Sequence, residues 1–140
     1  MRSSSALIKL CRAKDFIRDT FVEPIELLHV AEEASLSPYH LLRRFRQAFG
    51  ETPHEFLTRL RIERAKDILT ISDRPVTEIC FDVGFSSLGS FSTLFRRETG
   101  MSPAEFRRQV RVWVTVPGRP PWAFVPFCFG QQFGPLEKTS

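Results

Sequence analysis

Residues 76–103 read Val76-Thr77-Glu78-Ile79-Cys80-Phe81-Asp82-Val83-Gly84-Phe85, then Ser86-Ser87-Leu88-Gly89-Ser90-Phe91-Ser92-Thr93-Leu94-Phe95-Arg96-Arg97-Glu98-Thr99-Gly100-Met101-Ser102-Pro103. Ile79, Cys80 and Val83 recur at helical spacing, so Val76–Val83 is expected to form a short helix closed by Gly84. Ser86 to Thr99 is expected to form a second helix. Phe91, Leu94 and Phe95 make its apolar face, and Gly100 is its stop. Ser102-Pro103-Ala104-Glu105 is a capping box, in which the serine hydroxyl and the glutamate carboxylate each accept a backbone N–H from the other residue. It opens a last helix running to about Val110.

The same arrangement stands 50 residues upstream. Phe45-Arg46, Gly50, Thr52-Pro53 and Glu55-Phe56 recur as Phe95-Arg96, Gly100, Ser102-Pro103 and Glu105-Phe106. Further back the offset is 49: Val30/Ile79, Ala31/Cys80, Ala34/Val83, Leu36/Phe85 and Ser37/Ser86. One residue is gained in the turn before Leu41/Phe91. Stops, caps and core positions match together, so the chain holds two copies of one supersecondary unit. Each copy is a short helix, a tight turn and a longer helix, which is the helix-turn-helix pattern.

In the first copy Glu26–Ala34 supplies the short helix. Ser37-Pro38 caps and opens the longer one, with Leu41, Leu42, Phe45 and Phe49 as its apolar stripe. The Thr52 capping box starts a connecting helix that runs to about Ile71, about 18 residues or roughly 27 Å. Arg59, Arg61, Arg64 and Lys66 on it read as a solvated face, with one or two in reach of phosphate. Upstream, Ala6 to about Phe21 forms an amphipathic helix with Ser5 as N-cap and Leu7, Leu10, Cys11, Phe16, Ile17 and Phe21 as its apolar residues. The fold expected is all-α: two tandem helix-turn-helix subdomains joined by a long helix, over 1–71 and 72–110, with a short aromatic and Pro-rich C-terminal tail over 111–140.

That tail holds both tryptophans, Trp113 and Trp122. Val112, Val114 and Val116 alternate with Trp113 and Thr115, and Ala123 to Phe129 is aromatic-rich. The alternation on both sides of Pro117–Pro121 suggests a strand pair or extended arm, with Pro126 restricting the second strand to an edge. Packing back on its own helices, a dimer or ligand contact, and disorder are the three readings of this segment.

Composition excludes several classes. Hydrophobic residues make up 42% of the 140, which is a globular rather than a disordered content. Three cysteines with no C-x-x-C give neither a disulfide framework nor a zinc site. No signal-peptide pattern and no apolar run of about 20 residues is present, so no membrane partner is expected and the cytoplasm is the expected compartment. His29, His40 and His54 fall on three different helices without ligand spacing. No catalytic residues, metal site or cofactor is expected, and Cys80 matches the core position Ala31. The net charge is +4, and only Lys9, Lys14, Lys66 and Lys138 among the 20 Lys+Arg residues are lysines. Arginine's planar fork suits phosphates and guanine edges. A GC-rich genome would enrich arginine equally.

A recognition helix held at a fixed crossing angle protrudes, and the major groove, about 12 Å wide, admits it. The outer face of the first offers Tyr39, His40, Arg43, Arg44, Arg46 and Gln47. The second offers Leu88, Gly89, Ser90, Ser92, Thr93, Arg96 and Arg97. Base contacts are expected from Tyr39, Leu42, Arg43, Leu88, Gly89, Ser90, Ser92 and Thr93. Phosphate contacts are expected from His40, Arg44, Arg46, Gln47, Arg96 and Arg97. The partner expected is double-stranded DNA, read mainly by the first unit. A helical adaptor that binds another regulator, with degenerate DNA contacts, is the alternative.

These residues resemble the AraC/XylS family of regulators, from about Ala6 to Arg108. The resemblance rests on Val76–Phe85, Ser90-Phe91, Phe95-Arg96-Arg97, Gly100-Met101-Ser102-Pro103 and Phe106-Arg107. It implies major-groove recognition by both units and contact with RNA polymerase when the protein acts as an activator. By position Tyr39, Leu42, Arg43, Leu88, Gly89, Ser90, Ser92 and Thr93 match the family's base-facing sites. Leu42 is apolar where a polar reader is frequent, and Ser87 and Thr93 stand where Asp and Arg are common. Those departures bear on the base specificity of the second unit, not on the fold. Most members carry an effector domain before this one. The first helix here begins within a few residues of Met1, so a stand-alone member is favoured over a cut fragment.

Overall fold

The computed structural model describes residues 2–112 and resolves them into seven helices: α1 (Arg2–Thr20), α2 (Leu27–Glu33), α3 (Pro38–Phe49), α4 (Pro53–Ile71), α5 (Val76–Asp82), α6 (Leu88–Thr99) and α7 (Pro103–Val112). Among the described residues there is no strand. The strand pair expected in the tail lies outside them, apart from Arg111 and Val112, which continue α7 instead.

Each unit turns by the same device. The short helix ends at Ala34 or Val83, and the next residue takes a left-handed backbone, φ +51° at Ser35 and +101° at Gly84. The following N–H reaches back five residues, from Leu36 to the Ala31 carbonyl (2.9 Å) and from Phe85 to the Cys80 carbonyl (3.1 Å). This Schellman ending satisfies the carbonyls that a helix leaves unpaired. Serine closes one turn and glycine the other, and the reason is spatial. A Cβ at Gly84 would lie 2.9 Å from both the Val22 carbonyl oxygen and Arg61 Nε.

Two cores lie along one spine. The first collects Leu10, Ala13 and Ile17 of α1, Val30, Ala31 and Ala34, Leu41 and Phe45 of α3, and Phe56 and Leu57 of α4. The second collects Ile62, Ala65 and Leu69 of α4, Ile79, Cys80 and Val83, Phe85, Phe91 and Phe95, and Phe106 and Val110 of α7. The repeat is thus longer than its helix-turn-helix part. Leu10, Ala13 and Ile17 on α1 correspond to Ile62, Ala65 and Leu69 on α4, with the same spacing of three and four. Helix α4 closes the first unit with its N-terminal half and opens the second with its C-terminal half.

Both capping boxes form. Thr52 N–H donates to Glu55 Oε2 (2.7 Å) and Glu55 N–H to Thr52 Oγ1 (3.2 Å). Ser102 and Glu105 repeat the pair at the same distances. The backbone bond from Thr52, then its hydroxyl, holds the Glu55 carboxyl below its ordinary range, and Ser102 does the same for Glu105.

Three expectations are corrected. Ser5 is not an N-cap: α1 already runs from Arg2, and Ser5 lies inside its early turns, where serine is tolerated. Leu7 and Cys11 are exposed while Ala13 is fully buried and joins Leu10 and Ile17 in the first core. Helix α6 starts at Leu88, not Ser86. Its N-cap is Ser87, whose hydroxyl accepts the Ser90 N–H (3.2 Å) as Ser37 accepts that of His40 (3.3 Å). Ser37 therefore pairs with Ser87, and the extra residue of the second turn is Ser86.

Gly84→Ala should cost about 2–6 kcal/mol in urea denaturation, from backbone strain of about 1–3 kcal/mol together with overpacking of similar size. Ser35→Gly, which relieves the left-handed strain and meets glycine's entropy cost, should stay within about 1 kcal/mol of the parent. Equal losses at the two positions would contradict the spatial account of Gly84. Glu55 and Glu105 titrate lower in the folded chain than the unfolded 4.5, so their contribution is present above that pH and is lost as pH falls through the folded values. A Glu55→Gln/Glu105→Gln double variant should show a flatter loss of stability below about pH 4.5. An unchanged acid limb would show that the boxes do not hold the carboxylates.

Candidate nucleic-acid interface

The buried side of α3 fixes what its other side presents. Leu41 and Phe45 have no accessible surface, and the Phe45 ring meets Phe49 edge-on at 4.7 Å between centroids. In α6, Phe91 and Phe95 are equally buried, 5.6 Å apart, and Phe95 stands edge-on to Phe106 at 5.5 Å. These aromatic contacts set the roll of each helix about its own axis.

The opposite faces are open. Tyr39 is 68% exposed, and His40, Leu42, Arg43, Arg44, Arg46 and Gln47 are exposed with it. Helix α3 carries three arginines and no acidic residue. None of the three has an ion-pair partner among the described residues, whereas Arg18, Arg59, Arg74, Arg97 and Arg111 are all paired with carboxylates. An open groove of about 530 Å³ runs beside this face, lined by Leu7 and Leu10 of α1 and by His40, Arg43, Arg44 and Gln47.

On α6, Leu88, Gly89, Ser90, Thr93, Arg96 and Arg97 are exposed. Ser92, next to the buried Phe91, is half-buried, less open than its neighbours Ser90 and Thr93. The Ser90 hydroxyl accepts from Ser87 Oγ at 2.9 Å, and His40 Nδ1 sits at the same distance from Ser37 Oγ. Arg97 is tied to its neighbour Glu98 at 3.1 Å. Gly89 is helical, and a Cβ there would meet nothing within 4 Å. Neither strain nor packing inside the protein calls for glycine, although it costs about 1 kcal/mol of helix propensity.

The last turns of both helices carry arginine, Arg46 on α3 and Arg96 and Arg97 on α6; behind its bonds to Thr52, the charges of Arg46 and Arg97 also help hold the Glu55 carboxyl low.

Arg61 was missed by the sequence reading. It is half-buried, not on a solvated face. Its Nε donates to the Phe21 carbonyl (2.6 Å) and its Nη2 to the Glu23 carbonyl (2.8 Å). The signal was its position 50 residues before Arg111, which donates in the same way to the Ser72 carbonyl (3.4 Å). Arg59 pairs with Glu51 (2.6 Å) on the exposed face as expected, whereas Lys66, paired with Glu63 (3.2 Å), is half-buried rather than solvated.

Among the described residues no three His, Cys, Asp or Glu side chains converge as metal ligands would, and no helix is long and apolar enough to cross a membrane. Cys80 is buried, its Sγ 3.5 Å from the Ser87 carbonyl, and burial pushes its thiol pKa up. That suits a core residue and not a nucleophile.

A helix-turn-helix domain profile matches residues 30–109. The HTH-type transcriptional activator RhaS of Escherichia fergusonii is 42% identical over 93 residues, which are 66% of this chain and 34% of that protein. The chain spans about a third of the length of the RhaS relatives it matches. The DNA-binding domain of AdpA, a global transcriptional factor solved with a target DNA, superposes with a TM-score of 0.70 at 30% identity, covering 74% of this chain and 94% of that one. A transcriptional regulator from Chromobacterium violaceum described as AraC-type superposes at 0.68 and 28% identity, covering 76% and 95%. Profile, sequence and superposition agree with the tandem architecture, and the chain belongs to the AraC-type helix-turn-helix family.

Proposed function

We propose that this chain is a sequence-specific DNA-binding transcription regulator that lays α3 and α6 into successive major-groove segments on one face of a duplex. The observation that carries this reading is the matched pair of exposed polar faces backed by fully buried aromatic ones, at equivalent positions of two units sharing a helix. Successive major-groove faces lie roughly 34 Å apart along one side of B-DNA. A connecting helix of 19 residues, about 28 Å long, is the right size to span them.

Arg43 stands one turn beyond Tyr39 and reads guanine O6 and N7, flanked by Tyr39 and Leu42. His40, Arg44, Arg46 and Gln47 hold phosphates. In the second unit Leu88 meets a thymine methyl, and Gly89 lets the backbone approach the duplex. Ser90 and Thr93 add weaker contacts, and Ser92, half-buried, adds least. Arg96 and Arg97 hold phosphate, Arg97 after releasing Glu98. The first unit supplies most of the base readout. RNA polymerase, and a second copy through the tail, are the protein partners this reading adds, in the cytoplasm. It assigns no catalysis. The adaptor reading is not favoured, because AdpA's DNA-binding domain, solved with a target DNA, and the RhaS activators share this architecture and sequence.

The test is a gel-shift series on a duplex selected from a random-sequence pool, with a scrambled duplex beside it. Affinity should fall with salt at a log–log slope of about −0.9 per phosphate contact, and the selected duplex should keep its advantage at fixed salt. Arg43→Ala should cost about 1–3 kcal/mol and relax preference at one base pair. Arg96→Ala should weaken all duplexes alike and make the slope shallower by about 1. No advantage for the selected duplex at any salt would overturn the proposal.

A further inference from the structure

One guanidinium touches both units. Arg61 projects from the middle of α4 and donates to two carbonyls of the turn after α1, at Phe21 and Glu23. The same group lies against the turn of the second unit. Its Nε is 2.9 Å from where a Gly84 Cβ would stand, and its Cζ is 5.8 Å from the centroid of the Phe85 ring. The backbone of the two units meets at the same place, with the Val22 carbonyl oxygen also 2.9 Å from that Cβ position. Arg111, the counterpart of Arg61 in the repeat, likewise binds the loop before its own short helix, at Ser72 and Asp73. Capping that loop is therefore a repeated feature. Bridging to a neighbouring unit belongs to Arg61, because α4 is the helix that the units share.

A single shared helix can bend and twist, so by itself it leaves the two reading helices some freedom to rock about it. A second point of attachment removes that freedom. We infer that Arg61 is a positioning residue for DNA binding: by clamping the α1–α2 turn onto the Gly84-Phe85 turn, it sets the distance and angle between α3 and α6. The inference rests on the reading that both helices engage one duplex. Lysine cannot take the same part. The contact uses donors at both Nε and Nη2 and places a planar cation over an aromatic ring, whereas an ammonium is a single point donor.

The experiment uses the full chain and a duplex family built on the sequence it selects from random DNA. One or two base pairs are added or removed between the two selected blocks, and one duplex keeps only the block read by the first unit. The parent should lose about tenfold, the size of one mismatched pair, for a single-pair change in spacing. Arg61→Lys and Arg61→Ala should flatten that dependence to within about threefold while binding the one-block duplex as the parent does. Circular dichroism melting establishes that each variant is folded, and Arg61→Lys carries the test should the alanine variant not fold. A folded variant with the parent's spacing profile would overturn the inference. So would an equal loss on every duplex, one-block included, because that marks a merely structural residue. Selection of only one block by the parent is a different result: it sinks the two-helix reading itself.

Discussion

Everything in this molecule depends on α4 serving two cores at once. Phe56 and Leu57 complete the first core; one turn later Ile62, Ala65 and Leu69 begin the second. A domain of this size could have been two beads on a linker, free to reorient. Here the linker is itself core, so a large reorientation of one unit would break burial in both, and the Arg61 contacts restrain the smaller rocking that a bending helix still allows. The caps reinforce the same constraint. Thr52 and Ser102 fix where α4 and α7 begin, and the left-handed residues at Ser35 and Gly84 fix where α3 and α6 can start.

Most of this was legible in the sequence because the repeat is carried by residues with unambiguous local chemistry. Glycine stops, Ser/Thr-Pro starts and buried phenylalanines recur together, and each is a local signal. The places where the sequence misled are those where tertiary contact decides. Ser86 and Ser87 are equally good caps on paper, and only the Phe91 register chooses Ser87. Ala13 is inconspicuous beside Leu7, yet the alanine is packed into the first core and the leucine is left exposed. Arg61 looked like one of several solvated arginines because a guanidinium's partners, two backbone carbonyls some 40 residues away, leave no trace in local pattern. The candidate reading faces were legible for the converse reason: they are what remains once the buried stripe is assigned.

The arginines divide their labour by where their partners are. Arg61 spends its donors on backbone carbonyls, Arg111 on the Ser72 carbonyl and the Asp73 carboxylate, and Arg59 and Arg74 on nearby carboxylates. Those on α3 have no such partner among the described residues, so their charge is available to a polyanion. Helix α6 has a smaller net charge, two arginines with Glu98 against three arginines and no acid on α3, and is richer in glycine and serine; in the proposed function it is the weaker reader. That division works only if the second helix arrives at the groove already oriented by the first.

Rigid coupling of the two units is therefore the claim on which the functional reading stands, and it can be measured without DNA. Backbone amide residual dipolar couplings of the full chain in a dilute aligning medium report the orientation of every helix. Couplings from α2 and α3 and those from α5 and α6 should fit a single alignment tensor on this structure. Two tensors of different magnitude or axis would show units that tumble separately, and would contradict the shared-helix lock.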